Sequence, residues 1–266
     1  MTRGRECTLT NGSLKPRSKL LVNWRAYLLA AIFIVTLAFG IFEAVSQHRE
    51  SRYVAETAQN IVRHANAPDE ISAITALRDY LRRNVTARNY PAAGRPFFRD
   101  TAAYALQTGN GRCGESTRAF VNMAESLGIH AQRLYLEGEL EHVVALVTLR
   151  DGRQLIVDAI DFPYFLNIEE FHPGTKYPDF NYYSSINLHR WFKRPSLPAN
   201  TYDPPGASYF MENPHALKAL FWFLWSIGCA LLGAWKLRSR YRRVRTQSTI
   251  PAIRSDRAAA LALVDQ

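Results

Sequence analysis

Two long apolar runs bracket a stretch of mixed character. Ala26 to Phe42 holds 17 consecutive uncharged residues dense in Leu, Ile, Ala and Phe, and Ala219 to Trp235 holds another 17, bracketed by Lys218 and Lys236. At ~1.5 Å per residue each run covers about 25 Å, and Ala44, Val45, Ala216 and Leu217 extend them to the length of a membrane crossing. Core helices of soluble proteins are broken by polar residues, so both runs are predicted to be transmembrane helices, over 26–45 and 216–236. Tyr27, Trp222, Trp225 and Trp235 suit the interfacial belts. Phe42 and Ala44 do not form a small-x-small cleavage pattern, so the first run is predicted to be an anchor rather than a cleaved signal.

Between the runs the pattern changes to short periodic segments. Pro68, Asp69 and Glu70 open a helix whose apolar positions Ile71, Ile74, Leu77 and Leu81 recur every three or four residues, with Arg82 and Arg83 in its last turn. Tyr90 to Arg99, with two prolines and a glycine, reads as a loop. Asp100 can cap a short helix through Leu106, which Thr108-Gly109-Asn110-Gly111 stops. From Glu115 the pattern Ala119, Phe120, Met123, Ala124 and Leu127, closed by Gly128, predicts an amphipathic helix with Cys113 at its amino end. Three strands follow, Ala131 to Leu136, His142 to Leu149 and Gln154 to Asp158, the last two joined around Asp151-Gly152. Tyr177 to Tyr209, rich in aromatics and prolines, reads as irregular structure packed over the domain. Helices first and strands after is an α+β order, and residues 48–213 read as one domain with its core at about 69–160.

The distribution of charge orients this arrangement. The chain of 266 residues carries 33 Lys+Arg against 23 Asp+Glu, yet 48–215 holds 18 basic and 19 acidic residues, so the whole excess lies in the flanks. A nucleic-acid-binding domain would carry the basic patch on its folded surface, and no nucleic-acid partner is expected. Positive residues stay on the cytoplasmic side of a membrane. The expectation is therefore an inner or plasma membrane protein with basic cytoplasmic tails at 1–25 and 237–266 and an extracytoplasmic domain between.

Three cysteines make no disulfide framework. Cys7 falls in a predicted cytoplasmic tail and Cys229 in the second span, which leaves Cys113 alone in the outer domain. An oxidising compartment pairs or damages idle thiols, so a lone one needs burial or a task. Gly109, Gly111 and Gly114 around it are expected to let the backbone approach a substrate. A helix amino terminus favours thiolate through unpaired N–H groups, which can also hold an oxyanion formed beside the sulfur. The thiol needs a base, and His142 at the mouth of an apolar strand is the domain histidine placed to act as one. The orienting carboxylate depends on the hairpin. A strict two-residue turn at Asp151-Gly152 pairs His142 with Asp161, whereas a type I turn with a glycine bulge pairs Leu149 with Arg153 and Val144 with Asp158, one diagonal from His142. Strand parity leaves both open.

Gly111-Arg112-Cys113-Gly114-Glu115, the helix to Leu127-Gly128-Ile129, the strand His130-Ala131-Gln132-Arg133, then His142 and Asp158, together resemble the transglutaminase-like superfamily over about Asp69 to Ile160. Tyr80-Leu81-Arg82-Arg83-Asn84-Val85 is similar to the segment upstream of the nucleophile in these proteins. The resemblance implies a papain-like α+β core, helices followed by an antiparallel sheet, with Cys113 as nucleophile, His142 as base and Asp158, rather than Asp161, as orienting acid. It implies an oxyanion site made by the Cys113 N–H and Gln107. Departures fall after the histidine, where Val143, Val144 and Ala145 replace a common aromatic, and after the aspartate, where Ala159-Ile160 replaces Pro-Thr; both bear on substrate class. The expected activity is attack on amide bonds of a protein or peptide through a thioester, resolved by water or an amine, with no cofactor and no metal. The alternative is a catalytically silent module of the same fold, serving cell-envelope partner proteins.

Overall fold

A computed structural model describes residues 17–86, 99–138, 141–160, 168–171, 180–184 and 207–262. Cys7, Asp161, the 90–98 loop and the aromatic segment from 185 to 206 lie outside the described residues. The chain divides into two compact units, Gly40–Phe221 and a second made of Met1–Phe39 with Trp222–Gln266.

Two long helices supply the second unit, α1 (Arg17–His64) at its amino-terminal part and α6 (Pro214–Ala262) beyond Phe221. Phe39 stacks on Trp222 with ring centroids 5.2 Å apart, and the buried Thr36 and Ser226 hydroxyls meet at 2.8 Å. Leu28, Ile32, Ile34, Val35, Leu224, Leu231 and Trp235 are exposed. Both helices are long and apolar enough to cross a membrane.

The larger unit is α+β, with helices before strands. α1 runs 48 residues without a break and enters this unit, where Val54 and Ala58 join the core and Tyr53, Ile61 and Val62 pack against it. The domain core thus begins before residue 69, where the sequence pattern placed its start. No Gly or Pro stands between Gly40 and Pro68 to stop the helix. α2 (Glu70–Asn84) starts at Asp69, which accepts the Ser72 N–H at 2.7 Å while Ser72 Oγ accepts the Asp69 N–H, and it buries Ala73, Ile74, Leu77 and Leu81. Thr101, rather than Asp100, caps α3 (Ala102–Thr108) by accepting the Tyr104 N–H. α4 (Cys113–Ser126) buries Ala119, Phe120, Met123 and Ala124.

The antiparallel sheet has the order β4-β3-β2-β1-β5, with β1 His130–Gly138, β2 Glu141–Thr148, β3 Gln154–Val157, β4 Glu169–Glu170 and β5 Phe180–Ser184. Its central strands are buried on both faces. Ala131, Ala145, Val147, Leu155 and Val157 join the helices in the main core, and Leu134, Leu136, Val144, Leu146 and Ile156 form a second cluster with Phe171. The stretch from Tyr177 is not wholly irregular: β5 pairs along β1, and α5 (Ala207–Glu212) precedes α6. Aromatic residues favour a pleated edge, which the prolines further along the same stretch obscure in the sequence.

Candidate active site

The β2–β3 hairpin resolves the register that strand parity left open. Leu149 N–H donates to Arg153 O at 2.9 Å, Gly152 N–H donates to Leu149 O at 2.9 Å, and Gly152 has φ +87°. Ala145 pairs with Val157 at the end of the ladder, and the same register carried one step on sets Asp158 opposite Val144. Asp158 therefore falls one diagonal from His142. His142 Nε2 and Asp158 Oδ2 are 2.7 Å apart, both side chains buried, and the second Asp158 oxygen accepts the Ile160 N–H at 3.2 Å.

Cys113 is the first residue of α4, where N–H groups lack intrahelical acceptors. β3 stops pairing at Ala145, so the next backbone groups on that edge of β2, those of Val143, are free for α4. The Val143 carbonyl accepts the Thr117 hydroxyl at 3.0 Å, one turn along the helix from Cys113, and the Val143 N–H acts on the Cys113 thiol. The Thr117 bond ties the start of α4 to β2 beside His142, and the Cys113 thiol and the His142 ring act on each other. With the carboxylate on Nε2, Nδ1 is the ring nitrogen on the sulfur side.

The electrostatics follow from these contacts. Burial pushes the Cys113 thiol up, but the hydrogen bond and charge of His142, the Val143 N–H and the charge of Arg133 together bring it below the ordinary thiol value. Burial likewise pushes His142 down, and the bonds to Asp158 and Cys113 with their charges overcome it, raising the imidazole to about 9. Both shifts favour the thiolate–imidazolium form of the pair over the neutral one, and the two titrations belong to the pair jointly.

The loop glycines have a different purpose from the one expected. Gly109 has φ +64°, and a Cβ there would lie 2.7 Å from the Asn84 carbonyl oxygen. At Gly111 a Cβ would lie 3.0 Å from Val85 Cγ1, and at Gly114 3.3 Å from Arg133 Nη1. The space belongs to the protein's own chain rather than to a substrate. Thr86 N–H donates to Gly109 O and Gly111 N–H to Thr86 O, which stitches the loop before Cys113 to the end of α2. Glu115 reaches back to the Arg112 N–H at 3.1 Å and so supports the start of the helix. Gln107 is exposed on the last turn of α3.

Sequence reasoning missed a buried charged cluster behind the sulfur. Arg118 on α4, Arg133 on β1 and Glu212 on α5 are all buried. Arg133 occupies a strand position that alternates with Ala131 and Tyr135 on the core side, the one signal that could have marked it. Among the described residues no group of His, Cys, Asp and Glu is arranged to hold a metal ion.

Residues 55–159 match the model of the Transglutaminase-like superfamily. The matched stretch runs from the carboxyl-terminal part of α1 to the residue after Asp158, so it contains Cys113, His142 and Asp158, and this part of the chain is similar to a transglutaminase-like domain. No curated protein matches the sequence. Among solved structures the chain is similar to a proposed protease from Parabacteroides distasonis, at 14% identity over 44% of this chain and 26% of that one, with a TM-score of 0.35. It is similar to a proposed cysteine protease from Cytophaga hutchinsonii, at 15% identity over 50% of this chain and 55% of that one, with a TM-score of 0.36. It is also similar to a TGase, at 12% identity over 59% of this chain and 43% of that one, with a TM-score of 0.35. The chain spans between about a quarter and just over half the length of these structures.

Proposed function

We propose that the chain is a membrane-anchored thiol enzyme in which Cys113, His142 and Asp158 act as nucleophile, acid–base and orienting group on an amide bond of a protein or peptide. The observation that carries this reading is the buried Asp158–His142 hydrogen bond, with the ring interacting with a sulfur at a helix amino terminus. The Cys113 thiolate attacks the amide carbonyl carbon, and the carbonyl electron pair moves to oxygen. The Cys113 N–H, which α4 leaves without an acceptor, stabilises the oxyanion, and Gln107 is the side-chain donor that the resemblance implies. His142 Nδ1 gives its proton to the leaving amine as the C–N bond breaks, leaving a thioester. Water or a second amine then attacks the thioester while His142 takes back a proton, and the thiolate departs. Asp158 holds the ring orientation throughout and offsets the imidazolium charge.

The anchoring rests on the exposed apolar sides of α1 and α6, which in a core helix would be covered. Basic residues flanking both runs favour cytoplasmic tails with the domain outside. A reporter joined after Gln266 is expected to behave as cytoplasmic and one inserted near Ala92 as external. The opposite pattern would remove the argument that an outer, lone thiol needs a task.

The enzyme reading is tested with an iodoacetamide-type probe on the full chain at pH 7. Rapid labelling of Cys113 that is lost in His142→Ala supports it. Slow labelling indifferent to His142 contradicts it and leaves a silent module of the same fold.

A further inference from the structure

Arg133, Arg118 and Glu212 are 5%, 1% and 2% exposed, and no step of the proton path uses them. Arg133 grips Glu212 with two hydrogen bonds, Nε to Oε1 at 2.5 Å and Nη2 to Oε2 at 2.7 Å. Arg118 Nε lies 3.5 Å from Glu212 Oε2, and its Nη1 donates to the Asp100 carbonyl. Asn122 Nδ2 donates to the Glu212 backbone carbonyl at 3.2 Å. Burial pushes the Glu212 carboxyl up, but the charges of Arg133 and Arg118 hold it below its ordinary value. Two cations on one anion leave an excess of positive charge. The other charged groups that face the cluster, Arg99 and Glu115, are of opposite sign, and the Tyr135 ring lies 5.6 Å from the Arg133 guanidinium carbon. Desolvating three charges is expensive, and apolar packing of similar volume stabilises a fold as well, so stability alone is a weak account of this cluster.

A third hydrogen bond ties the cluster to the reacting groups. Arg133 Nη2 donates to the carbonyl of Gly114, the residue after Cys113, at 2.7 Å. A Cβ at 114 would meet Arg133 Nη1 at 3.3 Å, so the glycine leaves the guanidinium its room beside that carbonyl. The charges acting on the sulfur then include those of His142 and Arg133.

We propose that Arg133 is a positioning residue for Cys113: it fixes the first turn of α4 through the Gly114 carbonyl and sets an under-neutralised cation behind the sulfur, with its guanidinium fork aimed by Glu212 of α5. This deepens the enzyme reading and rests on it. The segment that leads directly into the second apolar helix thereby holds the nucleophile's surroundings. Loss of the Arg133 cation makes the thiolate less favourable, whereas loss of the Glu212 charge makes the same cation more effective.

The test is the rate of iodoacetamide labelling at Cys113 against pH, read by peptide mass spectrometry on the full chain in detergent. Arg133→Met is expected to move the acid-limb midpoint upward by about half a pH unit, which is about threefold slower labelling on that limb. Glu212→Gln is expected to move it downward by a similar amount. Opposed shifts cannot come from general loosening of the domain, which would slow or speed both variants alike. Shifts in the same direction, or none in either, overturn the proposal. If Arg133→Met does not fold, Glu212→Gln decides alone: a lower midpoint supports the proposal, and an unchanged or higher one overturns it. A His142→Ala control that leaves labelling unchanged overturns the enzyme reading instead, and the two shifts still report on Arg133.

Discussion

A histidine and a carboxylate meet near each end of α4, and the difference between the two pairs shows what makes such a pair reactive. At the amino end His142 meets Asp158 at 2.7 Å, with side chains 3% and 1% exposed, and the ring's other nitrogen faces a sulfur. At the carboxyl end His130 meets Glu125 at 2.9 Å, with side chains 67% and 46% exposed. The contact is nearly the same length. Water screens the second pair, and the Glu125 carboxylate also serves the Ala131 N–H that starts β1. Burial keeps water from screening the first pair, so protonation of the ring and ionisation of the thiol depend on each other.

Variants at the two ends widen or close this contrast. Cys113→Ala is expected to abolish turnover and His142→Ala to lower it by about 10³ or more, measured as release of an amine from a peptide substrate. Asp158→Ala leaves a buried imidazolium without its counter-charge; a loss of about 3 kcal/mol in denaturant unfolding is expected together with a drop in rate of about 10². Turnover against pH should rise on the acid side at a midpoint below that of an ordinary thiol, because Cys113 is lowered, and fall through about 9 as His142 loses the proton it must give to the leaving amine. Gly109→Ala places a Cβ against the Asn84 carbonyl at a positive φ, and about 1–3 kcal/mol of destabilisation is expected without a change in the pH profile. The smallest effect belongs to the exposed end: His130→Ala should change stability by no more than about 0.5 kcal/mol and leave the rate alone.

How far the sequence carried these conclusions depended on how local each signal was. The apolar positions of α2 and α4 recur at helical spacing and are bounded by Asp69 and Gly128, so both helices were legible. Continuation of α1 past residue 45 was not, because Glu43, Gln47, His48, Arg49 and Glu50 end the apolar run while the backbone stays helical and Val54 and Ala58 resume contact with a core. Strand β5 was hidden for a similar reason, since its aromatics are followed by prolines that read as irregular chain. Asp158 and Asp161 could not be ranked by parity alone, because a one-residue change of turn alters which carboxylate faces the ring. The Gly152 backbone conformation made that choice. Arg133 and Glu212 lie 79 residues apart, and nothing local in either segment announces the other. The glycines near Cys113 were conspicuous, but their contacts with Asn84, Val85 and Arg133 exist only once α2 and β1 are packed beside them.

The central claim is that the Cys113 sulfur carries an acyl group with the help of His142. The most direct measurement is the intact mass of the full chain after brief exposure at pH 6 to an activated acyl ester, with peptide mapping. One acyl group on Cys113, discharged by hydroxylamine and absent from His142→Ala, is the expected result; no adduct there, or the same adduct in both proteins, would contradict it.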